Sequence, residues 1–213
     1  GFLYRSNKLM YDEATQSLWN TFWGRPVIGP LVGKGIVLEQ RSVVTTTWGE
    51  WRDRHPDTTV LSIDTGYKFD YKEGAAYREY YSTDKLMFNV PKLDKRLKNK
   101  AEILGISLDN HPDEPVAFSA KYLLKHQLLY EQIGETKILI LTDNSGANRV
   151  YEGHIEFTDW DRELGLIDKN GQHWTVQESQ LLSAEGQQLE RLPAHRAFWF
   201  GWYSAYNNTR LVH

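Results

Sequence analysis

At 213 residues, 40% hydrophobic and 25% charged, the chain has the balance of an ordinary folded protein, long enough for one large or two modest packed domains. A formal net charge of −3, with basic residues scattered apart from a run at 92–100 that Asp94 interrupts, argues against a nucleic-acid partner and leaves that run as a solvated face. The lack of cysteine excludes disulfides, thiolate metal sites and cysteine nucleophiles, and the longest purely aliphatic run, 138–141, is far too short to span a bilayer.

In chain order, residues 2–11 mix aromatic and apolar positions with polar ones as a strand does. Residues 12–17 supply turn chemistry before 18–22, which predicts a hairpin. Glycines and prolines at 24–30 bracket a short strand at Val27 and Ile28, and Gly33 and Gly35 lead into another at 36–39. No Lys-Ser/Thr pair or G-x-G-x-x-G follows those glycines, so a phosphate loop is not expected. Thr47 and Glu50 have capping-box spacing and open a helix over 48–54, which His55-Pro56 ends. Trp48 and Trp51 share one face of it and read as core anchors, with ligand stacking as the alternative. Residues 59–63 read as a strand. The stretch 65–81 carries five tyrosines among charges and reads as an aromatic-rich loop or as a surface for sugars or peptides. A strand at 86–90 and a linker at 91–100 follow.

Further strands are expected at 103–107, 116–119 and 137–141, then at Val150 and Tyr151 and at 155–157. Leu123, Leu124, Gln127, Leu128 and Tyr130 keep helical spacing ahead of a C-cap at Gly134. Segments 160–167 and 173–176 flank a turn at 168–171, and a closing helix spans 197–206 with Trp199 and Trp202.

Residues 31–61 are written again 151 positions later, at 182–212. The ungapped copies share Leu31/Leu182, Gly35/Gly186, Leu38/Leu189, Glu39/Glu190, Trp48/Trp199, Trp51/Trp202 and Thr58/Thr209. Asp168 and Trp174 stand where Asp12 and Trp19 stand in the first hairpin, with a few residues deleted after it. The expected architecture is α+β and strand-dominated, with two related tandem units, each a twisted antiparallel sheet or partial barrel closed by a short Trp-bearing helix. Residues 1–99 would be the C-terminal part of a first unit plus linker, N-terminally incomplete, and 100–213 the second unit. Duplication of the hairpin-plus-helix element alone is the competing account. Gly1 opens directly into structured-looking sequence, so the chain reads as a mature or truncated piece.

The motifs Leu3-Tyr4, Ser6, Leu9-Met10-Tyr11-Asp12, Thr15, Ser17-Leu18-Trp19, Gly29-Pro30-Leu31, Gly33, Thr46-Thr47-Trp48, Glu50-Trp51 and His55-Pro56-Asp57-Thr58 resemble the domain-of-unknown-function family 3179 of prokaryotes. Thr65-Gly66-Tyr67, Asp70-Tyr71, Tyr77, Tyr80, Asp94, Arg96-Leu97, Leu104-Gly105 and the ending at 197–202 extend the likeness over nearly the whole chain. The resemblance implies no settled activity. Many members carry a C-P-x-C-like segment, some with selenocysteine, on a turn that would lie ahead of Gly1 and is suited to redox exchange. The equivalent turn of the second unit, 142–149, has no cysteine and is expected to be redox-silent.

No H-E-x-x-H, H-x-H or EF-hand spacing is present, so neither a metal nor a cofactor is expected. His55 and His111 precede prolines and read as turn residues, His126 as a residue at the surface or edge of its helix, and Asp109, Asp113 and Glu114 as a loop cluster. Ser6, Ser17 and Thr15 have no basic partner at a telling distance. The leading expectation is a non-catalytic binding or assembly module of a prokaryotic envelope or secreted protein, periplasmic or extracellular. Its partner would be another protein, a second copy or its own N-terminal fragment, because a unit that starts mid-fold leaves sheet edges and apolar surface uncovered. The first alternative is part of a thiol or selenol oxidoreductase whose reactive pair lies upstream, with Tyr4, Ser6, Asp12, Trp19, Gly29, Pro30 and Gly33 lining the pocket. The second is carbohydrate binding through Tyr67, Tyr77 and Tyr80.

Overall fold

The computed structural model describes residues 2–161 and 165–213. The N-terminal strands β1 (Leu3–Tyr4), β2 (Asn7–Asp12), β3 (Ser17–Asn20) and β4 (Arg25–Ile28) form a four-stranded antiparallel meander in sequence order. Asp12 builds its central turn, accepting the Ala14 amide at 3.0 Å and the Thr15 hydroxyl. At Gly29 the chain passes so close to β3 that an added Cβ would lie 2.8 Å from Ser17 Cα, at a φ of +105° that suits glycine. The helix α1 (Trp48–Arg54) starts where expected, Thr47 Oγ1 accepting the Glu50 amide at 3.3 Å. The helix α2 (Arg78–Ser82) lies in the tyrosine-rich stretch.

Downstream follow β5 (Glu102–Leu108), β6 (His111–Ser119), α3 (Ala120–Lys125), β7 (Leu128–Ile133), β8 (Thr136–Thr142) and β9 (Asn148–Glu152). Then come β10 (Phe157–Asp161), β11 (Gly165–Asp168), β12 (His173–Val176), β13 (Gln180–Ser183), β14 (Gln188–Glu190), β15 (His195–Phe198), α4 (Trp199–Ala205) and β16 (Arg210–Val212). They build three sheets, in the orders β15-β5-β6-β16, β7-β8-β9 and β10-β11-β12-β13-β14; β16 runs parallel to β6 and the other pairs are antiparallel. The protein is thus α+β and strand-dominated.

The core follows from strand periodicity. Successive side chains of β8 point to opposite faces, so Ile138 and Ile140 pack with Leu104, Ile106 and Phe118, while Leu139 and Leu141 pack with Leu166, Trp174 and Leu181. A third cluster joins Trp199, Trp202 and Tyr203 of α4 to Ile103 and Ala117 of the β5–β6 hairpin. Phe22, from the turn after β3, and Leu97 pack against it, so the N-terminal sheet and the 91–100 segment both rest on α4. Trp199 Nε1 donates to the Asp94 carbonyl at 3.2 Å, and Arg96 lies over its ring.

Three expected strands, at 36–39, 59–63 and 86–90, are irregular in the structure. By the repeat, Pro30 stands where Leu181 pairs with Leu189, and proline has no amide hydrogen to give a ladder, so 36–39 stay out of a sheet although the Leu38 amide still reaches the Gly24 carbonyl. The counterpart of 59–61 is β16, a strand only because β6 lies beside it. The helical spacing expected from 123 to 130 holds through α3 alone. From Leu128 the chain becomes β7, six residues paired without interruption to β8.

Candidate functional site

The duplication is visible in atomic detail at the two Trp-bearing helices. Trp51 Nε1 donates to Thr58 Oγ1 at 2.9 Å, and Trp202 Nε1 donates to Thr209 Oγ1 at 3.0 Å. Each helix ends with its cap residue stacked on that tryptophan, His55 on Trp51 at 4.0 Å and Tyr206 on Trp202 at 4.4 Å. In both, the cap amide donates to the tryptophan carbonyl at 2.8 Å. The surroundings differ. Trp199 and Trp202 are fully buried, whereas Trp48 is 50% and Trp51 38% exposed. The expectation that Trp48 and Trp51 are core anchors holds for their repeats and not for them.

α1 meets the rest of the molecule through its polar side. Arg54 binds Glu50 at 3.1 Å and Glu178 at 3.1 Å, and His55 Nε2 lies 3.5 Å from the same Glu178 carboxylate. Burial alone would raise Glu178, but the Arg54 hydrogen bond and the charges of Arg54, Arg149 and His55 hold it below the usual carboxylate range. Close by, Arg149 and Asp143 form a buried ion pair at 3.0 Å at the β8–β9 turn. Asp143 also takes the Ser145 hydroxyl at 2.6 Å and the Ala147 amide at 3.1 Å. Burial pushes this carboxyl up, yet Ser145, Arg149 and Ala147 together keep it below its ordinary value. Tyr151 is pushed up to about 12 by burial, against the pull of Arg149 and Arg191. Its hydroxyl, Arg149 Nε, and Arg191 Nε and Nη1 are buried and have no hydrogen-bond partner among the described residues. These atoms are closed off from solvent, which makes the cluster a polar seam under α1 and gives a ligand no entry.

An open groove of about 400 Å³ lies where the N-terminal sheet meets the C-terminal half, lined by Phe22, Arg25, Asp109, Asp113, His195 and Tyr206. Burial lowers the His195 pKa and so favours the neutral imidazole. The Tyr206 hydroxyl, raised by burial, donates to the Phe22 carbonyl at 3.1 Å and ties the groove's two walls together.

The residues singled out from the sequence are distributed over several places. Tyr4 stacks edge-on against Trp23 at 5.9 Å with Arg5 over both rings. Ser6 meets Tyr77 and Tyr80 in a hollow of about 150 Å³ completed by Phe88 and Phe200. Tyr80 carries the Lys100 ammonium 3.7 Å above its ring, and the same ammonium bonds the Tyr80 carbonyl. Asp12 and Trp19 border a separate hollow of about 460 Å³ with Leu38. Gly33 borders a third beside Arg25 and Gly35. Gly29 and Pro30 form the turn after β4, and Tyr67 stands exposed beside Phe69. Among the described residues no group of three or more His, Asp or Glu could hold a metal ion. The seam residues Arg149, Tyr151, Glu178 and Arg191, and the groove residue His195, escape sequence reasoning because they come from distant elements without motif spacing. The one available signal was the Arg54-His55 end of α1, which faces them.

No curated protein and no solved structure matches the chain. The family model described as "Protein of unknown function (DUF3179)" matches residues 1–209, and the chain therefore belongs to that family.

Proposed function

We propose that this chain is a non-catalytic binding and assembly module that works with its N-terminal half joined to another folded element. The observation that carries the reading is the distribution of exposed apolar surface. Apart from Leu124, every large hydrophobic side chain that stands exposed among the described residues lies ahead of residue 100, including Trp48, Trp51, Val60, Leu61, Phe69 and Phe88. Exposed apolar side chains concentrated in one part of a chain point to an interaction site. The remainder of the chain buries its own apolar residues in three clusters and stands as the scaffold. We infer an envelope or secreted setting from the family resemblance alone, and fractionation of the native host tests it directly.

The reading is tested by light scattering and dye binding on the purified chain. We expect self-association or strong binding of a hydrophobic dye, relieved by Trp48→Gln with Trp51→Gln. A monomer that binds no dye would remove the proposal. A second reading, carbohydrate binding, is favoured by the aromatic hollow of Tyr77, Tyr80, Phe88 and Phe200. Glycan-array binding lost on Tyr77→Ala or Tyr80→Ala supports it, and an empty array removes it.

A further inference from the structure

The C-terminal helix shows what its repeat is built to hold. α4 sits between two strands, β15 before it and β16 after it, and these grip opposite edges of one hairpin. β15 pairs antiparallel with β5, His195 opposite Gly105 and Phe198 opposite Glu102. β16 pairs parallel with β6, Arg210 opposite Val116 and Val212 opposite Phe118. Three further contacts lock hairpin to helix. The Trp202 indole lies so flat on Gly105 that an added Cβ would stand 2.4 Å from Cε3. The Thr209 hydroxyl, accepting from Trp202, donates to the Pro115 carbonyl at 3.1 Å. The Trp199 amide donates to the Ala101 carbonyl at 2.8 Å.

Shifted back by the repeat of 151, β15 becomes residues 44–47, α4 becomes α1, and β16 becomes residues 59–61. The frame is present and its contents are not among the described residues. Residues 44–46 and 59–61 enter no backbone hydrogen bond among the described residues. Leu61, the counterpart of Val212, is 95% exposed. Thr58 accepts from Trp51 as Thr209 does from Trp202, but its hydroxyl has no acceptor of its own among the described residues.

We propose that residues 44–61 are the receiving frame for a β-hairpin of the β5–β6 type, carried by a repeat unit that precedes this segment in a longer polypeptide. This rests on the assembly reading above and names its partner. The hairpin adds to edge 44–47 antiparallel and to edge 59–61 parallel, and presents a glycine to the face of Trp51 and a carbonyl to Thr58. A second copy of this chain is the weaker occupant, because its own β5–β6 hairpin already has both edges paired. The 151-residue spacing puts the counterpart of residues 102–119 ahead of Gly1.

The test joins a second copy of residues 100–126 ahead of Gly1 of the full chain by a flexible Gly/Ser linker of about 30 residues, with a reach of about 30 Å. Amide exchange is then read residue by residue. Exchange at 44–46 and 59–61 is expected to slow at least about tenfold by addition to the sheet, and tryptophan emission is expected to shift to the blue. Gly105→Val in the appended copy alone should restore fast exchange, and Thr58→Val should weaken the protection. Unchanged exchange in the fusion would overturn the proposal, as would equal slowing with the valine-bearing copy. Concentration-dependent slowing in the unfused chain would overturn it in favour of a second copy. If the fusion fails while the unfused chain still associates or binds dye, the hairpin falls and the assembly reading stands. If neither occurs, both fall.

Discussion

α1 and α4 have the same local architecture and opposite environments. Both are seven-residue helices carrying W-x-x-W, both fasten the second indole to a threonine seven residues on, and both end with a ring stacked on it. Yet α4 turns its tryptophans into a core, while α1 turns polar residues toward the molecule and leaves its tryptophans outward. Even the N-terminal caps follow this division. Thr47 caps α1 with its own hydroxyl, whereas α4 starts at Phe198 with no side-chain cap and draws on the carbonyls of Asn99 and Ala101. The same short-range code thus builds both helices, while their tertiary contacts hold them, and burial is conferred by whatever hairpin lies opposite.

The comparison makes its largest demand at the tryptophans. Trp202→Ala should cost about 3–5 kcal/mol in denaturant unfolding, and Trp51→Ala about 1 kcal/mol or less. Equal losses would mean that α1 is not the bare member of the pair. Removing one half of the buried Arg149–Asp143 pair, as in Asp143→Ala, should cost about 3–5 kcal/mol as well, because the arginine is left uncompensated.

Acid should then separate the helices. The folded-state pKa values of Asp143 and Glu178 both lie below their ordinary values, so their contribution is fully present above the unfolded pKa and is lost as pH falls through the folded one. Amides of α1, held by this polar seam, are expected to lose protection as pH falls below the ordinary carboxylate range, before those of α4, which an apolar cluster holds. Simultaneous loss in exchange experiments would refute the distinction. At the threonines, Thr209→Val should cost about 1–3 kcal/mol, since it strands the buried Trp202 donor and the Pro115 carbonyl. Thr58→Val, in the open copy, should cost less than about 0.5 kcal/mol. The smallest effect is expected at Arg191, two of whose guanidine nitrogens are buried without a hydrogen-bond partner among the described residues. Arg191→Met should leave the melting temperature unchanged or raise it slightly.

Local signals carried the sequence reading well and pairwise ones carried it poorly. The Thr47–Glu50 spacing and His55-Pro56 located both ends of α1, and the duplication found α4, because caps and repeats are properties of neighbouring residues. Segments 36–39 and 59–63 have strand-like composition, but a strand needs a partner with free donors, and composition does not say whether one stands opposite. Leu128 and Tyr130 fit a helical stripe as well as a strand, and only pairing with β8 decides between them. The candidate site was the least legible part. Ser6, Tyr77 and Tyr80 do converge, but Arg149, Tyr151, Glu178 and Arg191 meet through sheet topology that no spacing encodes.

The two-faced strand β8 has one more consequence. Slipping a strand by one residue normally exposes its apolar set to water and is thereby corrected. In β8 a slip would exchange Ile138 and Ile140 for Leu139 and Leu141, isomers of equal polarity and nearly equal volume, so hydrophobicity exerts almost no restoring force. Proofreading therefore falls to the strand's ends. At one end Gly153 lies so close to Ile138 that a Cβ would come within 2.8 Å of its carbonyl carbon. At the other, Asp143 gathers Ser145, Ala147 and Arg149 into a single permitted turn. The turn between β8 and β9 thus acts as an index mark for the sheet between two cores.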